Sequence, residues 1–261
     1  MYSWYKLLTY LFYPFAHIYL LIRKLRNKED SLRYKEKLSH INKRRDSGFL
    51  VWFHVASVGE AMSVLPLIES CIENKKIDKV LITSITLSSG KILEKKYTDN
   101  AKVTHQFLPL DIPIFVKKFL DHWKPNLSIF IDSEIWPNLI FQIKEMKTPL
   151  LLFNARITEK SFNRWKLVLS FAKKIFGKFD LCIASNKQSE EFLKILGVKS
   201  IKNFGNLKYS QTRKKTDNKL HKDFLTQIEN RKIWCAASTH SNEEILCAKT
   251  HISIKKNMKM F

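Results

Sequence analysis

What is scarce in this 261-residue chain narrows its class before any motif is read. Its four cysteines, Cys71, Cys182, Cys235 and Cys247, are widely spaced and form no Cys-x-x-Cys pair. Neither a zinc site nor a disulfide framework is indicated, and a reducing compartment fits. No Asp-x-Asp pair or metal-spaced His cluster occurs, although Asp132 and Glu134 alternate as a metal pair would. Zinc-finger, helix-turn-helix and aromatic-basic RNA motifs are missing, as are internal repeats and low-complexity tracts. Acidic residues are few: 24 Asp+Glu against 46 Lys+Arg leave a net charge of +22. Such an excess predicts attraction to polyanions, whether nucleic acid, anionic lipid or a phosphorylated substrate, without choosing among them. Only six glycines occur, in a composition rich in Lys, Ile, Asn and Phe, and that bias discounts part of the charge as a functional clue.

A long hydrophobic run is also lacking, with one near exception. Leu7 to Ile22, "LLTYLFYPFAHIYLLI", is interrupted only by Thr9, Pro14 and His17 and is followed by Arg23, Lys24, Arg26 and Lys28. As a helix it would reach about 24 Å, short of the ~30 Å hydrocarbon core, so a tilted span competes with a helix lying in the interface. Tyr and Trp near its ends suit headgroup depth, and the basic flank keeps the remainder cytoplasmic. No small-residue cleavage site follows, which argues against a removed signal peptide. The expectation is a membrane-associated N-terminal helix; the alternative is an amphipathic helix packed on the protein's own core.

What the chain has in quantity is apolar content, 45%, with 12% aromatics, enough for a full core in one large domain or two smaller ones. Six short runs read as strands: Phe49 to Ala56, Lys79 to Ile85, Val103 to Leu108, Leu127 to Ile131, Pro149 to Ala155 and Phe179 to Ala184. They are apolar throughout rather than alternating, as in a parallel sheet covered on both faces, and helix-length segments separate them. The expected fold class is α/β, a doubly wound Rossmann-like sheet with its ligand site off the carboxyl ends of the strands. The polar stretch from Ser210 marks a linker, after which "KIWCAAS" (Lys232 to Ser238) reads as a first strand and "THSNEEILCAKTH" as a first helix. A unit of some thirty residues cannot bury a core of its own, so what begins there is expected to be incomplete.

Six motifs in register carry a resemblance. "HVASVGE" (His54 to Glu60), "FLPLDIP" (Phe107 to Pro113), "DSEIWPN" (Asp132 to Asn138), "NARIT" (Asn154 to Thr158), "FGNLKY" (Phe204 to Tyr209) and "ASTHSNEE" (Ala237 to Glu244) closely resemble 3-deoxy-D-manno-octulosonic acid (Kdo) transferases. The resemblance implies a glycosyltransferase of the GT-B type that moves Kdo from CMP-Kdo to a lipid A precursor in lipopolysaccharide biosynthesis. It places the protein at the cytoplasmic face of the bacterial inner membrane. It also implies a division into a membrane-anchor segment and basic flank (1–28), an acceptor domain (29–209), a linker (210–231) and the start of a donor domain (232–261). The family's later nucleotide-gripping motifs have no counterpart, so a truncated product is expected. The implied partners are the lipid A precursor, CMP-Kdo with doubtful binding in so short a chain, and an anionic membrane surface, with no specific nucleic acid. In such a fold positive side chains and helix dipoles neutralise the leaving CMP, so neither metal nor cofactor is expected.

The family's proposed base falls on Glu60. Glycosyl transfer needs a group to take the acceptor hydroxyl's proton, and a carboxylate at hydrogen-bond distance can do so. Small Ser57 and Gly59 allow close approach to the backbone, and a helix N-terminus favours the ionised carboxylate. A plain first-turn helix residue would obey the same dipole preference, so the residues alone leave both readings open. The other candidates are Glu134, Asn154, Arg156 and Lys208, with Ser238, Thr239 and His240 for the nucleotide phosphate. Asp132 stands where the family usually has Glu, a shorter side chain. Pro137 and Asn138 are explained as well by a strand-to-helix junction, Arg156 by a salt bridge, Gly205 and Asn206 by turn chemistry, and His54 by the core. Two other classes stay open: a basic nucleic-acid-binding protein, and a noncatalytic membrane-bound remnant that binds anionic lipid.

Overall fold

The computed structural model describes residues 1–205, 225–226, 229 and 233–258. The chain divides into two compact units, Met1–Thr212 and Arg213–Phe261. The first is built on a wholly parallel sheet: β1 Leu50–His54, β2 Lys79–Ser84, β3 Val103–Phe107, β4 Leu127–Ile131, β5 Leu150–Ala155, β6 Leu181–Ala184 and β7 Ile201–Asn203. Their order is β3-β2-β1-β4-β5-β6-β7. This is the expected α/β doubly wound sheet.

Strand β1 shows why its sequence is apolar at every position. Leu50 and Trp52 enter one cluster with Phe119, Phe130 and Ile140, while Val51 and Phe53 enter another with Val64, Ile68 and Leu93. Both faces are covered, so there is no solvent face on which to alternate. Helices α3 (Val58–Glu73) and α4 (Leu87–Tyr97) supply the second cluster. Helices α5 (Pro113–Trp123), α6 (Pro137–Glu145), α7 (Glu159–Lys166), α8 (Leu169–Phe176) and α9 (Lys187–Ile195) supply the first.

Three expectations need correction. The N-terminal segment is not one helix but two, α1 Tyr2–Leu11 and α2 Tyr13–Leu25, breaking at Phe12. Pro14 causes the break, because its ring removes one helical N–H and crowds the preceding turn. No helix among the described residues is long and apolar enough to cross a membrane. The edge strand β7 went unread, since a three-residue strand with one apolar side chain carries no pattern. In the second unit, Ile233 to Ser238 form no strand among the described residues, and the helix α10 begins only at Glu243 (Glu243–Met258). An apolar run becomes a strand only where a neighbouring strand can satisfy its amides.

The N-terminal pair packs by an unusual face. Tyr2, Tyr5, Thr9, Tyr13, Ala16 and Leu20 recur at helical spacing and turn inward. Tyr2 stacks on Phe141 at 3.8 Å, and Ala16 and Leu20 lie buried among Leu38, Ile112 and Phe115. The opposite face is apolar and bare, with Trp4, Leu8, Leu11, Phe15 and Ile18 each between 56 and 69% exposed.

Candidate active site

The strand order reverses between β1 and β4, and a doubly wound sheet opens its crevice at such a reversal, beyond the carboxyl ends. Both strands deliver a carboxylate there. After β1, Ser57 caps α3, its Oγ accepting the Glu60 N–H at 3.4 Å. Glu60 reaches back: Oε2 accepts the Ala56 N–H at 2.7 Å and Oε1 the Ser57 hydroxyl at 3.0 Å. Glu60 is thus a reciprocal cap and a half-buried carboxylate at once.

After β4, Glu134 is held by Trp136, whose indole N–H donates at 2.9 Å, and its Oε2 lies 3.4 Å from His54 Nε2. His54 is fully buried at the end of β1. Its other nitrogen, Nδ1, lies 2.9 Å from the Thr83 hydroxyl on β2. Asp132 and Asn154 close the group from the ends of β4 and β5, with Asn154 Nδ2 3.5 Å from Asp132 Oδ1. Both adopt left-handed backbone, φ +63° and +53°, which Asn and Asp tolerate better than other side-chain-bearing residues.

The two glutamates are driven apart electrostatically. Burial raises the Glu60 pKa, and the negative charges of Glu134 and Asp132 raise it further against the lowering bonds from Ala56 and Ser57. The helix dipole alone predicts the reverse; burial among carboxylates outweighs it. Burial also pushes Glu134 upward, but the His54 ring and the Trp136 N–H outweigh that and leave it lowered. One carboxylate is therefore held ionised, and its neighbour is made a stronger proton acceptor than a free glutamate, the arrangement expected of a base.

A family model described as 3-deoxy-D-manno-octulosonic-acid transferase (kdotransferase) matches residues 32–211. The chain belongs to the Kdo transferase family. A 3-deoxy-D-manno-octulosonic acid transferase of Rickettsia bellii (strain RML369-C) is 36% identical over 255 residues, covering 98% of this chain and 59% of that one. The probable mitochondrial 3-deoxy-D-manno-octulosonic acid transferase of Arabidopsis thaliana is 34% identical over 264 residues, covering 96% of this chain and 57% of that one. The chain thus spans less than two thirds of these curated relatives. A UDP-N-acetylglucosamine 2-epimerase structure superposes with a TM-score of 0.48 at 14% identity, over 70% of this chain and 55% of that one, and carries no functional inference.

In this Kdo transferase family member the sequence candidates fall into four groups. Ser57, Glu60, Glu134 and Asn154 come together at the strand ends, whereas Arg156 stands exposed just past β5 with no carboxylate within salt-bridge distance among the described residues. Lys208 lies outside the described residues. Ser238, Thr239 and His240 belong to the second unit, ahead of α10, where the His240 N–H is capped by Glu243 at 2.7 Å.

Gly59 is exposed, and a Cβ built there would meet only Ser57 Oγ, at 4.0 Å. Among the described residues nothing requires glycine at this helical position, where it costs up to roughly 0.5–1 kcal/mol relative to alanine. Gly59→Ala should therefore raise thermal stability by about that amount. A stability loss in thermal melts would show that the fold itself demands the glycine.

Sequence reasoning missed Asp111. Buried under α1, it accepts the Tyr5 hydroxyl at 2.8 Å and the N–H groups of Asn138 and Leu139 at 3.0 and 2.9 Å, capping α6 from outside. Asn138 reciprocates through Nδ2 to the Asp111 carbonyl at 2.6 Å and Thr9 Oγ1 at 2.9 Å. Burial pushes the Asp111 pKa up to about 6. Two of the motifs thus meet in a clasp between α1 and α6, which explains Asn138 as architecture. The only signal in the sequence was an acidic residue inside the apolar stretch "FLPLDIP".

Proposed function

We propose that this chain is the acceptor-side portion of a glycosyltransferase that moves Kdo from CMP-Kdo to a lipid A precursor in lipopolysaccharide biosynthesis. The observation that carries the reading is Glu60, a half-buried carboxylate at the reversal of the sheet whose basicity is raised by its surroundings. In the proposed step, the acceptor hydroxyl oxygen forms a bond to the anomeric carbon of Kdo while its proton passes to Glu60. The bond from that carbon to the CMP phosphate breaks, and CMP leaves with the electron pair. Glu134 stays ionised beside the base, and Gly59 leaves room for the acceptor over the α3 N-terminus. Arg156, exposed and without an ion-pair partner among the described residues, is assigned to an acceptor phosphate by its forked donors. Residues 29–209 form the acceptor domain, 210–231 a linker and 232–261 the opening of a donor domain in a GT-B arrangement; Ser238, Thr239 and His240 belong to its nucleotide-phosphate contact. Kinetics of Glu60→Gln in a chain joined to a relative's donor half test the reading.

The surface reading is that α1 and α2 rest on the cytoplasmic face of an inner membrane. Their bare apolar face, flanked by Arg23, Lys24, Arg26 and Lys28, suits an interface rather than a span. Replacing Leu11 and Phe15 by Ser, both mostly exposed, should weaken binding to vesicles containing anionic lipid on the order of 10²-fold, with the thermal melt little changed. Vesicle co-sedimentation equal to that of the parent would sink the assignment. Deleting 1–28 is a poorer test, because it also strips Ala16, Leu20 and the Tyr5 clasp from the domain.

A further inference from the structure

The buried histidine at the end of β1 is not spare core. His54 sits between two groups that bias where its ring proton lies. On one side the Thr83 hydroxyl accepts the Trp52 indole N–H at 2.9 Å, which leaves its own hydrogen to donate. His54 Nδ1 is 2.9 Å away, whereas the competing acceptor, the Phe53 carbonyl, is at 3.4 Å. Against this, the Thr83 carbonyl, which can only accept, lies 3.3 Å from Nδ1; the shorter hydroxyl contact favours donation from Thr83 to Nδ1, which leaves the ring proton on Nε2. On the other side Nε2 faces Glu134 Oε2 at 3.4 Å and has no aligned hydrogen-bond partner among the described residues, although it is completely buried. A protonated Nε2 is attracted to that carboxylate; a bare lone pair would be repelled. The edge of the Phe130 ring, 5.3 Å between centroids, packs against the imidazole and restricts its tilt.

We propose that His54 is a positioning residue: Thr83 holds it as the Nε2-protonated tautomer, and that proton anchors the Glu134 carboxylate beside Glu60. Three carboxylates meet here, Glu60 from α3 and Asp132 and Glu134 from the segment after β4, with His54 as the titratable group behind them. Anchored by His54 and Trp136, Glu134 keeps its charge, and a proton arriving at the cluster goes to Glu60 instead. The benefit to catalysis rests on Glu60 being the base; the state of the ring and the titration of Glu134 do not.

The test uses the chain Met1–Phe261 and long-range ¹H–¹⁵N correlation of the His54 ring, with ¹³C carboxyl titration of Glu60 and Glu134. The parent should show Nε2 protonated and Nδ1 unprotonated; a proton on Nδ1, in a neutral or cationic ring, overturns the proposal. In Thr83→Val the nearest polar partner of Nδ1 is the residue-83 carbonyl, 3.3 Å away, which can only accept. The ring proton should move to Nδ1, Glu134 should titrate at higher pH than in the parent, and Thr83→Ser should restore both. A tautomer switch that leaves the Glu134 titration where it was would overturn the anchoring. Should Thr83→Val fail to fold, the parent and Thr83→Ser spectra still decide the tautomer. If instead Glu60→Gln leaves transfer intact in the joined enzyme, the catalytic reading falls while the ring assignment stands.

Discussion

Glu60→Gln, in the chain joined to a relative's donor half, is expected to lower the rate of Kdo transfer by about 10²- to 10⁴-fold, the usual contribution of a general base. The substitution is apt because of how Glu60 is held. A glutamine carbonyl can still accept the Ala56 N–H, and its amide can donate to Ser57 Oγ, so the reciprocal cap survives. Thermal stability should move by no more than about 1 kcal/mol, and acceptor binding should be nearly unchanged. Glu60→Ala separates the two functions of the side chain, adding the loss of the cap, about 1 kcal/mol, to the same loss of rate. Near-normal turnover with a destabilised chain would make the carboxylate architecture and remove the base from the proposed step.

The second large effect belongs to Asp111→Ala. Three donors, the Tyr5 hydroxyl and two α6 N–H groups, lose their acceptor in a buried place, at roughly 1 kcal/mol each at the low end. The expected loss is about 3 kcal/mol, largest at and below about pH 4. The pH dependence follows from the direction of the shift. Because the folded pKa is raised, from 3.8 to about 6, the folded chain holds this proton more tightly than the unfolded one. Stability from this group is complete below about pH 4 and is lost as pH rises through about 6, by an amount on the order of 3 kcal/mol. The gap between parent and Asp111→Ala should therefore narrow from pH 5 to pH 8 in urea melts. A gap that widens over that range would contradict the assignment of this carboxyl as buried and reluctant to ionise. Limited proteolysis should also cut α1 sooner in the variant, because Tyr5 loses its attachment.

Strands β1 to β6 were legible because a parallel sheet covered on both faces writes itself as uninterrupted apolar runs. Their placement also pointed to the candidate site, since Glu60 and Glu134 each follow such a run. What the sequence concealed depended on partners remote along the chain. Thr83 meets His54 across 29 residues, and Asp111 meets Tyr5 across 106, so neither pairing leaves a local pattern. The capping role of Glu60 was open to reading, for Ser57 and Glu60 stand three apart as in a capping box. Its raised basicity was not, because that depends on burial and on carboxylates delivered by another strand. The N-terminal segment was read correctly as apolar, but which side would face outward depended on the polar partners Asp111 and Asn138.

The clasp has a mechanical corollary. Asn138 and Leu139, whose amides grip Asp111, lie four and five residues beyond Glu134 on one short stretch, with Pro137 stiffening its middle. Whatever surface the bare face of α1 and α2 settles on, Glu134 is tied to it through this short stretch, like a stylus on an arm. For a substrate anchored in that same surface, reach would be set by the arm rather than by diffusion.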